Sequence, residues 1–255
     1  MRVTILGSGT SLGVPVIGCD CPVCRSGNPR NDRTRASVVV ETPGQRLLVD
    51  VGPDFRLQAL RAGFRSIDAV LMTHEHADHI AGLDDLRIFG FYTGRPVTIY
   101  SNEAVKTCIE NRYSYAFHPP QEGGGVPALD LRLISAPSAL SDIEVTPVRV
   151  YHGEMEILGF RLNDFGYVTD CSRMPDESKD RLRGLRVLVL NALRRKPHPT
   201  HLSLDEAVAL SRELGAEQTY FTHICHELDH EETNKSLPPR FELAYDGLQI
   251  TMNEG

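Results

Sequence analysis

Residues 74–79 read HEHADH, three histidines and one aspartate in six positions, directly after the apolar run DAVLMT at 68–73. Side chains two apart on an extended chain point the same way. His74 and His76 can therefore reach one metal ion together. If the chain then turns into a helix, Asp78 and His79 swing toward a neighbouring position, so one short loop can serve two metals. Two other metal signatures fail on spacing. H-E-x-x-H needs a histidine at 78, where Asp78 stands. A zinc finger needs a histidine pair about a dozen residues beyond Cys24, and none is there.

A second cluster lies near the start. GCDCPVC at 18–24 places Cys19, Cys21 and Cys24 in six positions. An odd trio leaves one thiol over in any disulfide pairing. A redox C-x-x-C normally sits at a strand–helix junction, whereas Gly18 and Pro22 suggest a loop. A metal site remains, and it wants a fourth ligand.

The elements that must carry these residues are short. RVTIL (2–6), ASVVVE (36–41), RLLVDV (46–51), DAVLMT (68–73), PVTIY (96–100), IEVTPVRV (143–150), RVLVLN (186–191) and QTYFTH (218–223) read as strands. DFRLQALRA (54–62) follows Pro53 and stops at Gly63, as a helix should. The stretch 203–214 opens with Ser203 and Glu206, a capping box, and closes at Gly215. Strands first, then a mixture, predict an α/β protein with two packed sheets and helices outside. QEGGGVP (121–127) is the one plainly flexible segment, a surface loop or lid. Nothing looks like a linker, so residues 1–255 are expected to form a single domain.

Composition narrows the function. The chain has 255 residues, 41% hydrophobic and 24% charged, the mix of an ordinary globular protein. The start MRVTILGSG lacks a signal-peptide pattern, and the longest apolar runs are too short to span a bilayer. A cytoplasmic location with reduced thiols is expected. The net charge of −7 disfavours extended nucleic acid as a partner. Arg30, Arg33 and Arg35 form the only tight basic cluster near a candidate site, and a solvated loop is the simpler reading of it. GSGTSLG is a poor dinucleotide fingerprint, because it reads G-x-G-x-x-x-G and Pro15 follows soon.

HEHADH resembles the H-x-H-x-D-H signature of the metallo-β-lactamase superfamily, and the resemblance runs along the whole chain. Later ligands of that family sit at strand ends in a fixed order. That order is met by His152 after VRVY, Asp170 in YVTD and His223 in YFTH. Asp50 in LLVDVG matches an aspartate that braces the loop. The resemblance implies an αβ/βα four-layer sandwich (the metallo-β-lactamase fold) with two mixed β-sheets and the site between them. It implies two divalent metals, zinc or manganese: His74, His76 and His152 on one, Asp78, His79 and His223 on the other, Asp170 bridging. It places Asp78, Asp170 and His201 in the catalytic set. Among the branches, the transfer-RNA 3′-processing nucleases often carry an RNA-gripping arm between the ligands matched here by His152 and Asp170. Only 17 positions intervene, so no arm fits. The start LGSGTSLGVPVIGCDCPVC, the segment PTHLSLDEA and the ending THICHELD are most similar to the cyclic phosphodiesterases of the carbon–phosphorus lyase pathway. A small phosphodiester substrate and a homodimer are what this resemblance implies, with a nuclease, a lactonase or a thioesterase as rivals.

His201 lies two residues before the N-cap Ser203. A helix N-terminus is a natural seat for phosphate, so Ser203 is expected to bind substrate and His201 to protonate the leaving oxygen. His198, between two prolines, reads as structural, and His118 and His230 as solvent-facing. For the cysteine trio the fourth ligand is expected to be His226. Cys171 neighbours Asp170, Cys225 would point away on an extended segment, and His226 lies three residues after His223, at most about 10 Å along the chain. The same resemblance supports a structural zinc on Cys19, Cys21, Cys24 and His226.

Overall fold

The computed structural model describes residues 1–118 and 125–252. Residues 121–124 of the expected loop at 121–127 lie outside the described residues.

Six strands build the first sheet in chain order: β1 (Arg2–Gly7), β2 (Ser37–Glu41), β3 (Arg46–Val49), β4 (Ala69–Leu71), β5 (Val97–Ser101) and β6 (Leu129–Leu133). Seven build the second: β7 (Ser138–Leu140), β8 (Ile143–His152), β9 (Met155–Leu162), β10 (Phe165–Val168), β11 (Val187–Asn191), β12 (Gln218–Thr222) and β13 (Phe241–Leu243). The last strand, β14 (Gln249–Thr251), returns to the first sheet beside β1. The orders are β14-β1-β2-β3-β4-β5-β6 and β13-β12-β11-β10-β9-β8-β7. Both sheets are mixed in the same way. The β3, β4, β5 and β6 strands run parallel, as do β10, β11, β12 and β13, and the remaining pairs are antiparallel.

The strand period sorts the side chains into layers. Val38 and Val40 of β2 and Leu47 and Val49 of β3 point at the second sheet, while Val39 and Leu48 point outward. Across the interface, Val187 and Val189 of β11 point in, and Leu188 and Leu190 point out. Both faces of these strands are covered, so they read in the sequence as unbroken apolar runs. One apolar cluster lies between the sheets and one lies outside each, under helices. The architecture is the αβ/βα sandwich.

Two helices form where the sequence signals stand. Phe55–Ala62 ends at Gly63 (φ 72°), and Leu204–Leu214 has both halves of its capping box and ends at Gly215 (φ 72°). The helices Arg87–Thr93, Glu103–Arg112, Asp176–Arg181 and His230–Ser236 carry weaker apolar periodicity and were not anticipated. Three expected strands stop early. Asp50 ends β3 in a left-handed conformation (φ 63°), β4 stops at Leu71, and β12 stops at Thr222 because His223 is left-handed too (φ 56°). Among the described residues no helix is long and apolar enough to cross a membrane.

Candidate functional site

The site lies at the C-terminal ends of the parallel strands, where open α/β sheets usually place their chemistry. Asp50 follows β3, residues 74–79 follow β4, Asp170 follows β10 and His223 follows β12. Asp50, Asp170 (φ 55°) and His223 all adopt left-handed backbone. Such residues cost roughly 1–3 kcal/mol each and persist where surrounding structure holds them. Here the turn aims each side chain into the gap between sheets. Close approach is secured by Gly52: a Cβ there would sit 2.2 Å from the Asp78 carbonyl, so only glycine lets the Asp50 loop pack on the turn bearing Asp78 and His79.

The imidazoles are pinned from behind. Asp50 accepts from the Thr73 N–H and O–H, both at 2.8 Å, and from His79 Nδ1 at 2.7 Å. Because the Thr73 hydroxyl donates to Asp50, its lone pair accepts His74 Nδ1–H at 2.9 Å. His152 Nδ1–H donates to the carbonyls of Thr200 (2.8 Å) and Asp170 (3.0 Å). For His74, His79 and His152 the Nε2 lone pair is thereby left free toward the centre, the tautomer a metal ligand needs.

What stands in front of them is a set of ligands. His79 Nε2 lies 3.2 Å from Asp78 Oδ2 and 3.3 Å from Asp170 Oδ2. His223 Nε2 lies 3.1 Å from Asp170 Oδ1 and 3.6 Å from Asp78 Oδ2. His74 Nε2 and His76 Nδ1 face one another at 3.1 Å, close to the spacing of about 3.3 Å between neighbouring nitrogens around one ion with zinc–nitrogen bonds of about 2.0–2.1 Å. The His152 ring stands 5.1 Å from His76 and 4.6 Å from His201. The structure thus brings His74, His76, Asp78, His79, His152, Asp170 and His223 together, with Asp170 facing both sides. Nε2 of His79, both ring nitrogens of His223 and Nδ1 of His201 are buried without hydrogen-bond partners. Buried polar atoms are rarely left so, and nitrogen and carboxylate donors of this kind suit a divalent cation.

The electrostatics agree. Burial pushes the carboxyl of Asp170 up, but His223 and His79 outweigh it and hold it well below the usual carboxylate range. Burial pushes His79 down, yet Asp170 and Asp50 raise it well above its ordinary value. Burial depresses His74 strongly. Asp170 and Asp78 therefore stay charged, whereas burial raises Asp50, and the pair favours positive charge at the centre of the pocket.

His201 is part of this cluster and no mere loop residue. Its ring lies 4.6 Å from His152 and 4.9 Å from His223, and its Nδ1 is 3.8 Å from Asp170 Oδ1. Burial, then the neighbouring His223, pushes it down to about 3. Ser203 has a different task from the one expected. It is buried, and its N–H and O–H both donate to Glu206 Oε2, at 2.8 and 2.6 Å. The next N–H, of Leu204, donates to the Arg194 carbonyl at 2.9 Å. The helix end already holds a carboxylate, so it offers an anionic substrate no seat. His230 is also a correction: it is buried at 2% exposure and meets Asn234 at 3.0 Å, rather than facing solvent.

The second cluster is equally compact. His226 Nδ1 lies 3.2, 3.4 and 3.5 Å from the sulfurs of Cys19, Cys21 and Cys24. A tetrahedral zinc with one nitrogen and three sulfurs requires N···S edges of about 3.6 Å. The Cys24 N–H points at Cys21 Sγ (3.4 Å) and the Val16 N–H at Cys24 Sγ (3.3 Å). The first of these bonds helps draw the Cys21 thiol down to about 6, while burial pushes Cys24 up to about 11. Cys225, by contrast, accepts from the Glu227 N–H and stands outside the cluster.

Sequence reasoning missed Thr73, Thr169 and Thr200. Thr169 Oγ1 donates to Asp170 Oδ2 at 2.5 Å, and the other two act on His74 and His152 as described. Their adjacency to ligands was a signal, but a backbone carbonyl such as that of Thr200 leaves no trace in residue type.

The sequence matches a family model of the beta-lactamase superfamily domain over residues 45–224. The chain belongs to this superfamily. It is 30% identical over 229 residues to the coenzyme PQQ synthesis protein B of Methylorubrum populi, covering 75% of this chain and 72% of that protein. It is 39% identical over 259 residues to an octanoyltransferase of Porphyromonas gingivalis, covering all of this chain but 52% of that protein. The chain thus spans about half the length of that relative. Among solved structures, a new diphosphatase from the PhnP family matches with a TM-score of 0.92 at 46% identity, covering 98% of this chain and 97% of the other. Zn²⁺-bound PqqB from Methylobacterium extorquens shares the fold, with a TM-score of 0.78 at 22% identity and 99% and 100% coverage. The chain has the metallo-β-lactamase fold and is similar to a member of the PhnP family.

Proposed function

We propose that the chain is a binuclear phosphodiesterase acting on a small phosphodiester. The observation that carries this reading is Asp170, which belongs to both donor groups: its Oδ2 faces His79 at 3.3 Å, and its Oδ1 faces His223 at 3.1 Å and His201 at 3.8 Å, with His152 beside them. His74, His76 and His152 would hold one divalent metal, Asp78, His79 and His223 the other, and Asp170 would touch both. Two such ions supply Lewis acidity toward phosphoryl oxygens and lower the pKa of water. Cys19, Cys21, Cys24 and His226 would hold a third ion, a structural zinc.

The chain's own residues do the rest. Asp50, Thr73 and Thr200 keep the imidazole nitrogens oriented, which spares reorganisation during reaction. Water adds to phosphorus, the bond from phosphorus to the leaving oxygen breaks, and that oxygen takes a proton. His201, beside Asp170 and kept neutral by burial and His223, is the group placed to hold that oxygen by an N–H hydrogen bond and to pass it the proton that the water gives up. The likeness to a PhnP-family diphosphatase supports phosphorus chemistry. It also favours a second reading, cleavage of a P–O–P bond in a small diphosphate. Turnover of bis(p-nitrophenyl) phosphate, a cyclic nucleotide panel and nucleoside diphosphates, with zinc and manganese supplied separately, separates the two. Hydrolysis of a lactone or thioester with none of these turned over would overturn both.

A further inference from the structure

Arg33 is the bulkiest of the fully buried side chains, 1% exposed, although the sequence reads it as part of a solvated basic loop. Its backbone pairs with Val14 at 2.7 and 2.9 Å, at the head of the cysteine loop. Its guanidinium crosses to the loop after β12. There Nη1–H donates to the Cys225 carbonyl at 2.9 Å, and Nη2–H to the Leu228 carbonyl at 2.7 Å. A further bond goes to Asn31 Oδ1 at 2.9 Å. All three acceptors are neutral, Nε is buried without a partner, and the side chain makes no ion pair with a carboxylate among the described residues.

A guanidinium taken out of water without an anion is costly, so something must compensate it. The groups whose charge acts on it are Cys225, Asp229, Asp246 and Cys24. Asp246 is paired with Arg61 and bonded to Ser8 and Thr34, and Asp229 reaches Arg33 only indirectly, through the Asn31 amide that accepts from Arg33 and donates to Asp229. Cys225 offers Arg33 its carbonyl, while its sulfur accepts from the Glu227 N–H. Cys24 belongs to the clip. Three thiolates, a neutral imidazole and a divalent ion leave one net negative charge, half-buried on the same loops.

We propose that Arg33 is the counter-ion of the zinc clip formed by Cys19, Cys21, Cys24 and His226, and that it couples loading of the clip to the placement of His223. The coupling runs through the carbonyls that Arg33 grips. Cys225 and Leu228 flank His226 in the segment that begins at His223, so the cation that balances the clip also fixes the backbone delivering a catalytic ligand. Arg33 is a positioning residue: it touches neither metal ligand side chains of the catalytic centre nor substrate. The proposal rests on the zinc reading of the clip.

The test uses full-length protein with cobalt in place of zinc, because the sulfur-to-cobalt charge-transfer band reports the thiolate site alone. Arg33→Met keeps much of the bulk and removes the charge. It should weaken cobalt binding at the clip tenfold or more in chelator competition, and Arg33→Lys should lie nearer to wild type than Met does. A double-mutant cycle keeps the test sound if Arg33→Met folds poorly. With Cys21→Ser the clip is lost and Arg33 has no anion to balance, so Arg33→Met should lower Tm much less in that background than in wild type. Unchanged cobalt affinity in Arg33→Met, or Tm losses that simply add, would overturn the counter-ion. A wild-type protein without the thiolate band would instead overturn the clip itself, a separate failure.

Discussion

Two clusters of metal-ligating side chains share one loop and differ in almost everything else. After β12 the chain delivers His223 to the carboxylate and imidazole cluster and, three residues on, His226 to the three thiols. The first cluster mixes nitrogen and oxygen donors, most of them fully buried, and its ligands arrive from the ends of four strands. The second is one nitrogen and three sulfurs, half-buried, with three of four ligands from a single six-residue stretch. Mixed imidazole and carboxylate sites can leave coordination positions for water and substrate, whereas three thiolates and an imidazole close a tetrahedron and leave nothing for chemistry. Under the proposed function the two would divide the labour: one cluster would react and the other would hold the reacting loop in place.

The sharpest break in that comparison is Asp170→Ala. It removes the carboxylate that faces His79, His223 and His201 together. Diester hydrolysis should be abolished, catalytic metal should be lost in metal counting, and the clip should keep its zinc. Turnover near the wild-type level would rule out the binuclear mechanism. His201→Ala is expected to come next. It should bind metals normally and lose about 10²–10⁴-fold in kcat. Substrates with good leaving groups need little protonation, so for them the loss should shrink. An equal loss for good and poor leaving groups would make His201 a positioning residue.

The contrast between the clusters is also a contrast in legibility. HEHADH could be read from spacing alone because its ligands are neighbours in sequence as well as space. His152, Asp170 and His223 are isolated residues at strand ends, and only resemblance to a known family connected them. The cysteine trio announced itself, but His226 lies more than two hundred residues away, and its place depended on knowing where His223 goes. Strands buried on both faces were visible as apolar runs, and helices with clear caps were visible too. The short helices such as Asp176–Arg181, the edge strands and, inside the second sheet, β9 and β10 were not, since tertiary packing rather than local pattern stabilises them. Arg33 and Ser203 were misread for a common reason. A residue type at a loop or a cap says what a side chain could do, while its partners in the fold decide what it does.

A middle-sized effect should follow from opening the clip. Wild type is expected to carry three metals per chain when purified without oxygen. Cys21→Ser or His226→Ala should carry one fewer, with Tm lower by about 5–10 °C for the loss of a few kcal/mol of metal-coupled stability. Activity should weaken without vanishing, because His223 loses its support and keeps its ligand atoms. If either variant retains all its metal, the clip is not a metal site. If either loses activity as completely as Asp170→Ala, the two clusters are a single catalytic unit.

The smallest effect concerns Ser203, where the sequence suggests both a capping box and a phosphate seat and the structure has the capping box. Ser203 Oγ donates to Glu206 Oε2 at 2.6 Å, and the Ser203 backbone N–H donates to the same oxygen at 2.8 Å. Glu206 is held below its usual pKa first by that hydroxyl, so its negative charge already lies at the positive end of the helix. A phosphate arriving there would meet a carboxylate, and repulsion would offset what the helix end could contribute. Ser203→Ala removes the cap but leaves the backbone bond to Glu206. It should cost about 1 kcal/mol, a Tm fall of about 2–4 °C in a chain of this size. KM for bis(p-nitrophenyl) phosphate should stay within twofold of wild type. A KM rise of tenfold with Tm unchanged would reverse the assignment, restoring Ser203 to the substrate and placing the capping box in the service of binding.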